Sequence, residues 1–322
     1  MASDSDTRRA DYQPEGADPK ASTFSTLKRT VQEFSEDNLT DWAAALTYYG
    51  LLSLFPALIA MVSVMGLVGD PATVTKPITD VVTQLGPKSA ADALSGPIKS
   101  ITSNPTGAGI ALIAGLAGAL WSASGYVGAF MRASQIIWET PEGRPIWKLR
   151  PLQLLVTLVM IVLTAVVALS LVLTGPIVQA VAAPLGLGST AVTIWDYAKW
   201  PVLVLIVLVI IDVLYFAAPN VKQRGFGWLT KGALLALVVW LIASVAFAFF
   251  VANFGSYNTT YGSLAGLVVF LVWLWITNVA VLLGMEFNAE RERSAELSEG
   301  VVGAEREIQG RPRAEPKEQR TT

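Results

Sequence analysis

Six stretches of this chain, at about residues 42–68, 106–131, 152–174, 201–218, 229–252 and 263–286, are long, apolar and almost free of charge. Each supplies the roughly 20 residues that a ~30 Å hydrocarbon layer asks of a helix. Inside such a layer a helix is favoured because it satisfies its backbone N–H and C=O groups within one segment. The pattern predicts an all-α polytopic membrane protein with six transmembrane helices and excludes a soluble two-domain enzyme. Charge follows the same division. Of 48 charged side chains, 14 fall in residues 1–41 and 16 in 286–322, leaving 18 for the 244 residues between.

The segments outside the spans differ in character. Residues 1–23 are polar and predict a disordered cytoplasmic tail. In 24–41, Phe24, Leu27, Val31 and Phe34 recur at helical spacing beside Lys28 and Arg29. That spacing predicts a short amphipathic helix, lying on the cytoplasmic membrane face or packed on the protein, followed by the entry to the first span. Residues 289–322 carry 15 charges in 34 residues; their beginning is expected to prolong the last helix, and the remainder predicts a solvated, disordered tail. The 70–105 connection suggests two short amphipathic helices, and 175–198, broken by Gly and Pro, an interfacial or re-entrant piece. Pro56 predicts a kink in the first span. The second span carries two ladders of small residues, Ala111-Gly115-Ala119 and Ala114-Gly118-Ser122, which predict a close-packing helix, a dimer seam or a sliding surface.

Orientation comes from Lys and Arg. With both termini inside, the inner segments 1–41, 132–150, 218–231 and 286–322 hold 19 of these cations and the outer segments four. The positive-inside rule then puts both termini of a multi-pass protein in the cytoplasm, with the lipid bilayer as its first partner. Trp42, Trp138, Trp147 and Trp228 fall at inner boundaries and Trp195 and Trp200 at an outer one, as an aromatic belt requires.

The chain has neither Cys nor His. That removes thiolate chemistry, cysteine metal sites, and the commonest general base and transition-metal ligand. No cofactor, metal site or catalytic residue is expected, and a net charge of −2 gives no electrostatic footprint for nucleic acid. The residues that could act are polar groups at membrane depth. Asp212 stands well inside a predicted span, where a carboxylate is costly unless paired, hydrated or protonated. Seven or eight positions in from each cytoplasmic helix end, about 10–12 Å deep, lie Thr47, Tyr48, Tyr49, Ser122, Ser124, Asp212 and Asn278. Such a layer predicts either an inward-opening cavity lined by Tyr48, Asp212 and Asn278, or helices hydrogen-bonded into a solid core. Glu286, ending the last span, is expected to pair with Arg132 or Lys231 as an interface ion pair or a gate.

Three blocks carry a resemblance: DNLTDWAAALTYYGLLSLFPALIAM, GYVGAFMRASQIIWETPEGRPIWKLR and YGSLAGLVVFLVWLWITNVAVLLGMEFNAE. In order and spacing over about residues 24–290 the chain resembles the YihY/virulence factor BrkB family. The resemblance implies a bacterial cytoplasmic-membrane protein of six spans. It implies no settled substrate, because the family's old ribonuclease BN label was later regarded as an error and some members are discussed as envelope-lipid transporters. Asp212 stands outside the family's pattern. Two functions remain open: a transporter or flippase of a lipid-like or amphiphilic solute, and a non-transporting scaffold or envelope-integrity factor. A nuclease is disfavoured, since metal-dependent phosphodiester hydrolysis needs clustered His, Asp or Glu ligands.

Overall fold

The computed structural model describes residues 23–68, 105–172, 189–223, 229–253 and 265–315. They form seven α-helices: α1 Thr23–Glu36, α2 Leu39–Val68, α3 Pro105–Ile137, α4 Ile146–Val172, α5 Ser189–Ala217, α6 Lys231–Asn253 and α7 Ala265–Ser298. Among the described residues there is no β-strand, only an isolated antiparallel bridge between Val221 and Pro312. Four helices there are long and apolar enough to cross a membrane by length and composition: Ile146–Val167, Thr193–Ala217, Lys231–Asn253 and Gly266–Ser298.

Local chemistry sets the helix ends. Asn38 takes φ 51°, a left-handed conformation that Asn tolerates, and turns the chain from α1 into α2. At the end of α3 the Thr140 amide bonds the Gln135 carbonyl and the Glu139 amide that of Ile136. This is a Schellman closure, with Glu139 at φ 47° where glycine is usual. Gly300, φ 71°, closes α7 in the same way through Val301 to Glu296 and Gly300 to Leu297. Pro151 lies inside α4, past its first turn, and the helix runs on without that amide's bond. Pro201 lies inside α5, which runs on through it.

The bundle is organised around two intimate pairs, α2 with α3 and α6 with α7, while α7 also packs on α2 and α1. The closest approach is between α6 and α7. A Cβ on Gly232 would collide with the Gly284 carbonyl, and one on Gly284 with the Gly232 carbonyl and the Tyr215 hydroxyl. Gly118, from the small-residue ladders of α3, faces open space instead. The buried part of α3 is its second half, including Val127, Phe130, Met131, Ala133 and Ile137. The core thus concentrates at one end of the bundle, and the apolar flanks of α4 and α6, such as Leu158, Val162, Ile242 and Val245, remain exposed.

Several expectations are corrected. Residues 189–198 are not an interfacial piece but the first turns of α5; residues 173–188 lie outside the described residues, as do 70–104 and 1–22. α2 runs on through Pro56, where a kink is expected, to Val68. Trp138 is not a belt residue: it is 3% exposed and belongs to the core. α7 extends to Ser298, in line with the expectation that the start of the C-terminal region prolongs the last helix. The largest correction is that residues 299–315 are not a solvated tail but fold back as an ordered strap over the polar end. Charge density suggested solvation, but Glu290, Arg293 and Arg313, and the amides of Ile308, Arg313 and Ala314, meet partners far away in sequence.

Candidate functional site

Asp212 on α5 is 3% exposed. Its carboxylate accepts the Thr230 hydroxyl at 2.6 Å and lies 3.3–3.4 Å from the Thr230 amide. Thr230 is the N-cap of α6, its oxygen accepting from the Ala233 amide at 3.1 Å and from the Asn288 side-chain amide at 3.1 Å. Asn288 on α7 in turn accepts the Gly232 amide at 2.9 Å. A carboxylate at a helix N-terminus opposes the positive end of the macrodipole. Asp212 therefore sits level with the start of α6, near the polar end, as the anchor joining α5, α6 and α7.

Asn278 on α7, 1% exposed, joins three helices. The Tyr126 hydroxyl of α3 donates to its side-chain oxygen at 2.8 Å, and its amide donates to Thr47 Oγ1 of α2 at 3.1 Å. Thr47 completes the chain by donating to the Ala43 carbonyl at 2.8 Å. Nearby cross-helix bonds run from Trp240 to Thr277, Trp273 to Ser244, and Tyr215 to the Val281 carbonyl.

The remaining layer residues divide. Ser122 donates to the Leu52 carbonyl at 3.3 Å, joining α3 to α2, whereas Ser124 is buried but bonds its own helix at Trp121. Tyr49 packs against the core beneath the Arg132 guanidinium, 5.9 Å from its ring centre. Tyr48 is 59% exposed and turns away from the bundle, so it does not share an interior with Asp212 and Asn278. Sequence reasoning missed Tyr126 and Thr230, the partners that complete these two networks.

The expected pairs of Glu286 with Arg132 or Lys231 do not form among the described residues. Glu286 is buried, with Oε2 lacking a hydrogen-bond partner. The ion pairs centre one turn further along α7. Glu290, wholly buried, lies 2.8 Å from Arg293 Nε and 3.6 Å from Arg29 Nε of α1. The first contact is an ion pair without the alignment of a hydrogen bond. Arg293 also donates to Glu139 at 2.9 Å, and Glu139 accepts the strap amide of Ile308 at 2.6 Å. The left-handed Glu139 thus links α3, α7 and the strap. Burial, then Glu33 and Glu139, push the Asp37 carboxyl up to about 6 against the opposing pull of Arg293. The spacing of 286, 290 and 293 along one helical stripe was the sequence signal for this cluster.

Further bonds fasten the strap. Glu296 accepts the Gln309 amide at 2.8 Å; Asn220 donates to the Pro141 and Ala314 carbonyls and accepts the Ala314 amide. Lys222 and Arg313 exchange backbone bonds with Arg311 and Asn220. Arg144, paired with Glu142 at 2.7 Å, donates to the Ala217 and Ala218 carbonyls that end α5. Four segments remote in sequence therefore meet at one end. Among the described residues no three His, Cys, Asp or Glu side chains are grouped to hold a metal ion.

The family model described as Virulence factor BrkB matches residues 30–307. The chain belongs to the virulence factor BrkB family. A relative from Bacillus subtilis, YfkH, named as ribonuclease-like, is 30% identical over 267 residues, covering 83% of this chain and 94% of that protein. A UPF0761 membrane protein of Alteromonas mediterranea is 26% identical over 293 residues, 89% of this chain and 92% of its own. Another from Aeromonas salmonicida is 25% identical over 257 residues, 80% and 85% of the two chains. No solved structure matches this chain. It is a membrane protein of a family represented in bacteria.

Proposed function

We propose that this BrkB-family chain is a cytoplasmic-membrane platform: six spans closed into a bundle, with both termini inside and a folded cap presented to the cytoplasm. One observation carries it. The buried polar groups most suggestive of a transport path, Asp212 and Asn278, are each engaged in hydrogen bonds that tie helices together. A buried polar network with its partners in place rigidifies a core. The Lys and Arg distribution supports the orientation, and the joining of α1, the 138–145 loop, 217–223 and the strap at one end agrees with it.

A transporter or flippase of a lipid-like or amphiphilic solute is the second reading. It is favoured by the outward-facing aromatics Tyr48 and Trp121, flanked by Arg132 over Tyr49 and Arg150 over Trp121. The ribonuclease-like name of YfkH is not carried over to this chain.

Complementation of a strain lacking the gene separates the two. On the platform account, Asp212→Asn and Tyr48→Phe support growth as wild type does, while Gly143→Val, which drives a side chain into the Ala314 carbonyl, fails. The transporter account expects the reverse, with membrane insertion intact throughout. Orientation is tested separately, in a chain with no native Cys. Single cysteines at Glu142 and Gln309 should resist an impermeant thiol reagent in intact cells, and one at Thr190 should react.

A further inference from the structure

We propose that a cleft at the polar end, between α1, the first residue of α6 and the charged part of α7, binds a phosphate-bearing group. Its volume is about 300 Å³, at the lower end of ligand pockets. Two cations, Lys231 and Arg291, and four hydroxyls, those of Thr23, Thr26, Ser294 and Ser298, line it, and no carboxylate does. That is the donor set of a phosphate site: a planar guanidinium fork, a compact ammonium and neutral hydroxyl donors around an anion.

The two cations are not consumed elsewhere. Neither Lys231 nor Arg291 forms an ion pair among the described residues, although carboxylates are abundant at this end. The helical repeat of α7 explains why. Glu286, Glu290 and Arg293 lie on the stripe that turns into the charge cluster, whereas Phe287, Arg291, Ser294 and Ser298 lie on the stripe that turns into the cleft. Thr26 and Ser294, both buried, bring their oxygens within 3.2 Å and fix α1 against α7, so the two walls hold their spacing.

The level of the cleft suits the same ligand. Lys231 begins an α6 that is apolar apart from Ser244 and the terminal Asn253, and Phe287 follows the last apolar run of α7. This places the cleft at the boundary where lipid phosphates reside and where basic residues gain from anionic lipid. On α1 the apolar side chains Phe24, 77% exposed, Leu27 and Val31 flank the cleft residues Thr23 and Thr26. A phosphodiester headgroup from the bilayer and a soluble phosphate compound share the recognised chemistry. The site holds for a platform and for a transporter alike.

The full chain, placed in nanodiscs of phosphatidylcholine with a minor share of phosphatidylglycerol, is released into a native mass spectrometer. Wild type should retain phosphatidylglycerol selectively. Lys231→Gln with Arg291→Gln should lower that retention by at least about tenfold, the scale of a single lost charge-assisted contact. Lys28→Gln, a cation outside the cleft, should leave it unchanged. Should the double variant unfold in a thermal scan, Ser294→Ala carries the test, with a loss of about threefold expected. Inorganic phosphate and glycerol 3-phosphate are then added. Displacement assigns the cleft to the phosphate group from either source, and retention without displacement assigns it to the intact lipid headgroup. Equal retention by wild type and the cleft variants, or an equal loss in Lys28→Gln, overturns the proposal.

Discussion

In the helix bundle, Thr47, Tyr126 and Asn278 form a short chain in which each donor has an acceptor on its own or a neighbouring helix. In the cap, Glu290 has two arginines beside it, yet Glu286 one turn away is buried with an oxygen unpartnered. In both regions the contacts join segments more than a hundred residues apart, but that bundle chain is short and neutral, whereas the cap uses many charged groups. The difference follows from solvent. Lipid offers no alternative partner for a stray polar group, so spans carry only those whose bonds are made inside. Near water an imperfect charge cluster can be held together by the sum of its ion pairs and backbone bonds, and is correspondingly sensitive to single changes.

If that contrast is right, backbone contact rather than charge should dominate the bundle. Gly284→Val forces a side chain into the Gly232 carbonyl and the Tyr215 hydroxyl. It should cost about 3 kcal/mol or more, read as loss of folded protein in detergent thermal unfolding. The cap should yield to the loss of one charge. Glu139→Gln weakens both the Arg293 pair and the Ile308 cap, so the strap should loosen by about 2 kcal/mol, read as faster limited proteolysis around 299–315 while the bundle stays folded.

Much of this contrast is legible in the sequence, and the rest is hidden for identifiable reasons. The long helices follow from run length and hydropathy, and Asp212 and Asn278 stand out because a polar side chain in an apolar run is costly. Their partners do not stand out. Thr230 lies 18 residues beyond Asp212, across a turn, and Tyr126 is 152 residues from Asn278. Only the packing of α3, α5, α6 and α7 reveals either one. Tyr48 sits beside Thr47 and Tyr49 in sequence, but neighbours on a helix point in different directions, so depth alone could not decide which faced inward. The strap is the clearest case of concealment. Its charges look like those of a solvated tail, and its fasteners, Glu139 and Asn220, lie in segments separated from it by whole helices.

Smaller effects sharpen the comparison. Asp212→Asn preserves an acceptor for the Thr230 hydroxyl and loses only the charge facing the start of α6. It should cost about 1 kcal/mol in thermal unfolding, far less than Gly284→Val. The last effect is a pH dependence of the cap, damped because Asp37 is only half-buried. The Asp37 carboxyl rises from 3.8 to about 6 on folding, so the folded form binds its proton more tightly than the unfolded form. Cap stability should therefore fall as pH rises through about 4 to 6 and level off above, where the carboxylate is ionised in both states. Asp37→Asn should flatten that dependence, measured as strap proteolysis against pH.

The folded cap is most directly tested by hydrogen–deuterium exchange on the intact protein, resolved at the amides of Ile308, Gln309, Arg313 and Ala314. Each donates to a specific acceptor, respectively Glu139, Glu296, the Asn220 carbonyl and the Asn220 side chain. A cap docked on the bundle predicts that these four exchange slowly together and are released together by Glu139→Gln. Exchange at the rate of an unstructured peptide in the wild-type protein would contradict it.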